Sequence, residues 1–87
     1  LMQFARPPVP KASAVPAAAL LHETAAALQS FADHRRVRLV CPAAPADWGL
    51  NADPAQARIA LTCLLRNAVE AARPDGWAGI RLERDGE

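Results

Sequence analysis

The 87-residue sequence has little of several features that indicate a function directly. Ten Lys and Arg residues are balanced by nine Asp and Glu residues, which leaves a net charge of +1. A chain without a basic excess lacks the electrostatic footprint of a protein that binds nucleic acid or an anionic membrane. No apolar run approaches the length of about 18 residues or more that a membrane span needs, because His22 and Glu23 interrupt the Ala-rich stretch. We therefore expect no nucleic-acid partner and no direct membrane contact.

Cysteine is also scarce, with only Cys41 and Cys63 in the chain. Their separation excludes a CxxC metal or redox motif, and neither has a His or Cys neighbour at ligand spacing. We interpret both as reduced, small core-type residues, although spacing alone leaves a disulfide between them open. The length allows one small domain, which can bury only about 60 to 65% of its unfolded surface.

The rest of the chain is organised around one long helix, predicted over residues 53–73. Asp53 is a favourable N-cap and Pro54 suits the first helical position. Placing residues at about 100° per step gives a broad apolar face for packing, an opposite polar face and a stripe along the border between them. The apolar face comprises Ala57, Ala60, Leu61, Leu64, Leu65, Ala68, Ala71 and Ala72; the opposite face carries Arg58, Thr62, Arg66 and Arg73; the stripe is Cys63, Asn67 and Glu70.

Asn67 is the unexpected residue in this helix. Asparagine costs about 0.5 kcal/mol relative to alanine in a helix interior, because its amide competes for backbone groups. One interpretation is a solvated border position on an Ala-rich helix. The other is a ligand, since an amide oxygen is a hard donor suited to Mg²⁺.

The remaining pattern predicts a second helix and four strands. A helix is expected over residues 17–34, with Leu21, Ala25, Leu28, Phe31 and Ala32 on its packing face. Strands are expected at residues 13–15, 37–41, 48–52 and 77–84, a turn at 73–76, and a hairpin turn at 85–86. An unpaired edge along the last strand predicts a strand-paired or swapped homodimer, or else poor solubility.

Residues 64–72, LLRNAVEAA, resemble the N box of the ATP-binding domain of sensor histidine kinases of two-component systems, in particular those of the nitrogen-regulation type. The likeness continues on both sides. Residues 4–7 resemble the end of the second dimerisation helix of these kinases. Residues 52–56 resemble the strand end and helix start before the N box, and residues 76–82 resemble the strand after it.

The resemblance implies an α+β fold, the two-layer α/β sandwich of Bergerat type found in the GHKL or HATPase group, truncated to its N-terminal half. Residues 1–12 would be the end of the dimerisation helix and a Pro-rich linker, and residues 13–87 the N-terminal half of the ATP-binding domain. The absence of Met at position 1 agrees with a piece of a longer protein. The implied location is the cytoplasm, with a membrane anchor elsewhere in the parent protein left open.

The activity implied is ATP-dependent autophosphorylation on a histidine, followed by transfer to an Asp of a response-regulator receiver domain. ATP and Mg²⁺ would be the cofactors, and the parent would be a homodimer. Asn67 matches the Asn that coordinates Mg²⁺ between the phosphates. Cys63 matches the position one turn earlier, where these kinases usually have a polar residue, and Glu70 falls where some members have Lys. Ala71 would lie along the nucleotide.

Two departures limit this implication. The Asp-x-Gly-x-Gly box that recognises adenine and a second Gly-rich box do not occur in these 87 residues, nor does the phosphoacceptor histidine, so the chain alone is expected to be inactive as a kinase. Cys63 cannot serve as a water-activating carboxylate, which argues against an ATP-hydrolysing relative. The alternative is a non-catalytic kinase-like adaptor or dimerisation module, which Cys63 favours.

Overall fold

The order of helices and strands is that of the sequence prediction. The structure, a computed structural model, describes residues 13–84. The predictions for residues 1–12 and for a hairpin turn at 85–86 lie outside the described residues. The elements are β1 (Ser13–Pro16), α1 (Ala17–His34), β2 (Arg38–Val40), β3 (Gly49–Ala52), α2 (Pro54–Ala71) and β4 (Trp77–Gly79).

The four strands form two small sheets. β1 pairs with β3 in antiparallel fashion, with Ser13 opposite Ala52, and β2 pairs with β4 in parallel, with Leu39 opposite Ala78. Two helices and two two-stranded sheets make this a small α+β domain.

The packing face predicted for α1 is largely confirmed. Leu21, Leu28 and Ala32 are buried, while Ala25 and Phe31 are half-buried. The helix also buries Leu20 and Thr24, whose hydroxyl donates to the Leu20 carbonyl oxygen at 2.7 Å. That bond satisfies the buried hydroxyl within its own helix.

α1 ends in a Schellman motif in which Arg36 occupies the position usually taken by glycine. The Val37 N–H donates to the Ala32 carbonyl oxygen at 2.9 Å, and the Arg36 N–H donates to that of Asp33 at 3.0 Å. Arg36 has φ of 57°, in the left-handed region that favours glycine. Val37 and Ala32 then join the same buried cluster, so this turn leads directly into the core.

The connection from α2 to β4, like the one from α1 to β2, contains a residue with positive φ. It is a turn in which the Gly76 N–H donates to the Arg73 carbonyl oxygen at 2.9 Å and Asp75 has φ of 68°. A proline at the second position and a positive φ at the third define a type II turn, which confirms the turn predicted at 73–76. The Asp75 N–H donates to the Arg36 carbonyl oxygen at 2.7 Å, so the two turns bind each other directly before β2 and β4 pair.

α1 and α2 lie side by side and run in the same direction. Three contacts between them join residues that are all 35 positions apart, which only parallel helices allow. They are Arg58 to Glu23 at 3.2 Å, Arg66 to the Phe31 ring centroid at 4.6 Å, and Arg35 to the Glu70 carbonyl oxygen at 3.2 Å. One cluster of the core joins both helices to β4 and comprises Ala32, Val37, Val69 and Ala78.

The start of α2 is as predicted, because the Asp53 carboxylate accepts from the N–H groups of Ala55 and Gln56 at 2.9 and 3.1 Å. The face predicted to pack is partly wrong. Ala60, Leu64 and Ala71 are exposed, and Val69, which the prediction left out of the packing face, is fully buried with Leu65.

The fully buried residues of α2, Leu65 and Val69, are centred about 90° from the middle of the predicted face, by the 100° spacing of helical residues. The error came from two residues of similar size: Leu64, which is 59% exposed, was counted on the packing face, and Val69, which is fully buried, was left out of it.

Three of the four strands are shorter than predicted. β2 and β3 each lack their predicted first residue, Val37 and Trp48, and β2 also lacks Cys41. The largest difference is at β4, which ends at Gly79 although residues 80–84 were predicted to continue it. Its parallel partner β2 ends at Val40, and Pro42 follows soon after without an N–H to donate, so pairing on that side stops.

Candidate functional site

The four candidate residues that the resemblance selected lie on the outer side of α2. Cys63, Asn67, Glu70 and Ala71 are all exposed. Asn67 follows Leu65 by two residues and precedes Val69 by two, which at about 100° per residue places it opposite the fully buried stripe. The helix therefore holds Asn67 at the centre of its exposed side.

Two expectations about this stripe are wrong. Cys63, Asn67 and Glu70 do not lie on a border between packed and polar faces, because the packed face is turned toward Val69. Cys63 is not a core-type residue either, since it is exposed, whereas Cys41 is half-buried. Both cysteines are free.

Arg35 contacts the C-terminal end of this surface, although the sequence analysis did not select it. Its Nη2 donates to the Glu70 carbonyl oxygen at 3.2 Å. The last carbonyl groups of a helix have no partner within the helix. The Ala72 N–H reaches the carbonyls of Ala68 and Val69, and Arg35 satisfies that of Glu70.

The ring of Phe31 supports this arrangement from α1. The guanidinium carbon of Arg66 lies 4.6 Å from the ring centroid, and that of Arg35 lies 5.6 Å from it. Both distances are within the range of cation–π attraction. Only one sequence feature could have indicated the contacts of Arg35. It is a basic residue just after α1, where the helix dipole favours positive charge.

The donor set on the outer side of α2 suits a Mg²⁺ ion that arrives with phosphates. Asn67 and Glu70 are three positions apart, so their Cβ atoms are about 5–6 Å from each other on the same side of the helix. Mg²⁺ in nucleotide sites takes one or two protein oxygens and completes its octahedron with phosphate and water. The Cys63 sulfur is a soft donor and does not suit this ion. Across the described residues 13–84, no group of three or more His, Cys, Asp and Glu residues could hold a metal by itself.

The surface is open and is not part of a deep cavity. A cavity of about 590 Å³ lies where the two turns meet, beside Arg36 and Asp75, and one of about 430 Å³ lies beside Trp48 and Leu82. None of the four candidate residues on α2 lines either cavity. A ligand bound to the outer side of α2 would therefore need a further covering element or would remain largely in solvent.

Comparison with known proteins adds no family assignment: no family model matches the chain, and no curated protein matches it. Neither helix in residues 13–84 is both long enough and apolar enough to cross a membrane.

Proposed function

We propose that this chain is part of a sensor histidine kinase and forms the N-terminal half of its Bergerat-type ATP-binding domain. In this proposal α2 is the N-box helix. The parent protein would autophosphorylate on a histidine with Mg-ATP and pass the phosphoryl group to a response-regulator receiver domain in the cytoplasm.

The observation that carries the proposal is the orientation of α2. The N-box resemblance selects Asn67, Cys63, Glu70 and Ala71 as a set, and the helix turns all four outward. Within residues 13–84 none of the four packs in the core, since Leu65 and Val69 fill that side of the helix instead. An amide oxygen that faces away from the core is free to coordinate a ligand.

Each of the four residues then has a defined role in binding Mg-ATP. Asn67 would hold the ion, which would supply positive charge to neutralise the phosphates. Glu70 could accept from water bound to that ion, with its backbone held by Arg35. Ala71 would contact the nucleotide through its methyl group alone. Cys63 offers no carboxylate to activate water, so this surface suits transfer to a positioned acceptor better than hydrolysis.

The test is a titration of the chain with Mg²⁺ and a non-hydrolysable ATP analogue, followed by the amide NMR shifts of Asn67 and Glu70. We expect saturable shifts that Asn67→Ala abolishes and that Asn51→Ala, an exposed asparagine in β3, leaves unchanged. Because alanine is the better helix former, Asn67→Ala should also raise the free energy of unfolding by about 0.5 kcal/mol. Loss of binding in a more stable variant would exclude unfolding as its cause.

Equal affinity in Asn67→Ala and the original chain would contradict the assignment of the Mg²⁺ ligand.

The exposed Cys63, which stands where a polar residue is usual, favours a second candidate function: a non-catalytic adaptor or dimerisation module. A folded chain that shows no shifts with Mg²⁺ and nucleotide would support the adaptor over the kinase. In either case we expect no steady ATP consumption by the 87-residue chain above a blank.

A further inference from the structure

The last turn of α2 carries part of the candidate surface but is weakly attached to the core. Val69 is the last fully buried residue of the helix, and among residues 70–74 only Ala72 is half-buried, while the others are exposed. In a longer helix the Glu70 carbonyl oxygen would accept from the N–H of residue 74, but that residue is Pro74, which has none. This end of the surface therefore depends on a partner from outside α2.

Arg35 supplies that partner from an ordered position at the end of α1. Its Nη2 donates to the Glu70 carbonyl oxygen at 3.2 Å, and its guanidinium carbon lies 5.6 Å from the centroid of the Phe31 ring. Its backbone is fixed as well, because the Arg35 N–H donates to the Ala32 carbonyl oxygen at 3.1 Å. The donor thus reaches α2 from a hydrogen-bonded backbone, with an aromatic ring beneath its guanidinium.

We propose that Arg35 is a positioning residue: it holds the last turn of α2 closed and so keeps Glu70 and Ala71 in line with Asn67. The surface that Arg35 positions is the one assigned to Mg-ATP above, so the inference rests on the proposed function. Asn67 itself is placed by the buried residues on either side of it and does not need Arg35. Because terminal turns open more readily than the core, the loss of one hydrogen bond lowers the fraction of chains in which the whole surface is formed.

The first test measures the last turn itself, in the nucleotide-free chain. Arg35→Met keeps a long apolar side chain beside the Phe31 ring but has no donor, whereas Arg35→Lys keeps a charged donor. In amide hydrogen exchange, Ala71 and Ala72 should exchange about threefold faster in Arg35→Met, the effect of one lost hydrogen bond. Arg35→Lys should restore the original rates. Ala57, whose N–H closes the first turn of α2, should exchange at the same rate in all three chains.

The second test measures the surface, by titration with Mg²⁺ and a non-hydrolysable ATP analogue. Arg35→Met should bind about two- to threefold more weakly than the original chain, because the last turn is closed in a smaller fraction of molecules. Arg35→Lys should bind as the original chain does. Arg36→Met is the matched control, since the neighbouring Arg36 side chain lies beside Asp75, and it should change neither the exchange rates nor the affinity.

The two measurements separate this inference from the proposed function. If the original chain binds no nucleotide, the proposed function is contradicted, and the exchange rates alone decide whether Arg35 holds the last turn. Exchange at Ala71 and Ala72 that is unchanged in Arg35→Met, or that Arg35→Lys does not restore, would overturn the inference. Equal nucleotide affinity in Arg35→Met and the original chain would also overturn it.

Discussion

The left-handed residue at the end of α1 gives a prediction that runs against the usual direction of mutational effects: Arg36→Gly should stabilise the protein. A non-glycine residue in the left-handed region costs about 1–2 kcal/mol because Cβ approaches a backbone carbonyl. Glycine gives back about 0.5–1 kcal/mol of this through the greater freedom of its unfolded chain. The Schellman hydrogen bonds of Arg36 and Val37 involve only backbone atoms and remain.

The one side-chain interaction that the variant removes is weak. Arg36 Nε lies 3.8 Å from Asp75 Oδ1, and the two side chains are 67% and 78% exposed. Such a pair contributes at most a few tenths of a kcal/mol after solvent screening. The expected gain is thus about 0.5–1 kcal/mol, which corresponds to a rise in Tm of about 2–8 °C for a domain of this size.

Thermal unfolding followed by circular dichroism measures the change, and two variants isolate its cause. Asp75→Asn removes the ion pair while keeping a residue that tolerates positive φ, so it should leave Tm within about 2 °C. Arg35→Gly stands one position earlier, where φ is −93° and no strain is relieved. It loses the bond to the Glu70 carbonyl and should lower stability by about 1–2 kcal/mol. A lower Tm for Arg36→Gly, with Asp75→Asn unchanged, would refute the reasoning.

Two further predictions test the packing of α2 and the pairing of β2 with β4. In urea denaturation Leu65→Ala should cost about 2–5 kcal/mol, whereas Leu64→Ala, 59% exposed on the same helix, should cost less than about 0.5 kcal/mol; equal losses would contradict the rotated face. Gly79→Ala places a Cβ well inside contact distance of the Val40 carbonyl oxygen and should cost more than about 2 kcal/mol, whereas Gly49→Ala meets only ordinary contacts. Equal stability of the two glycine variants would contradict the close approach of the strands.

The parts of the fold that local sequence determines are those that could be predicted. The end of α1, the Asp53 cap and the turn at 73–76 all depend on residues within five positions of each other. The end of β4 could not be predicted in the same way. It is set by Val40, which lies far away in sequence and only determines where pairing stops once the two strands meet.

The candidate site also has residues that local sequence indicates and a residue that only the packing of the two helices reveals. The sequence indicated Asn67 and its neighbours because the N-box pattern is local. It did not indicate Arg35, because that side chain reaches the Glu70 carbonyl across 35 positions of sequence, and only the parallel alignment of the two helices brings them together. The rotation of α2 was missed because it depends on how much area each side chain buries against α1 and β4.

Stability and the proposed binding depend on opposite sides of α2. The buried stripe of Leu65 and Val69 holds the helix, and Asn67 faces the opposite direction, so it can change without altering the core. Glu70 differs, because its side chain is exposed while its carbonyl oxygen is held by Arg35 from α1. A perturbation of α1 near Arg35 would therefore reach Glu70 and Ala71, in the last turn, before it reached Asn67 or Cys63. The half of the surface nearest the helix end is thus the part whose geometry depends on the packing of α1.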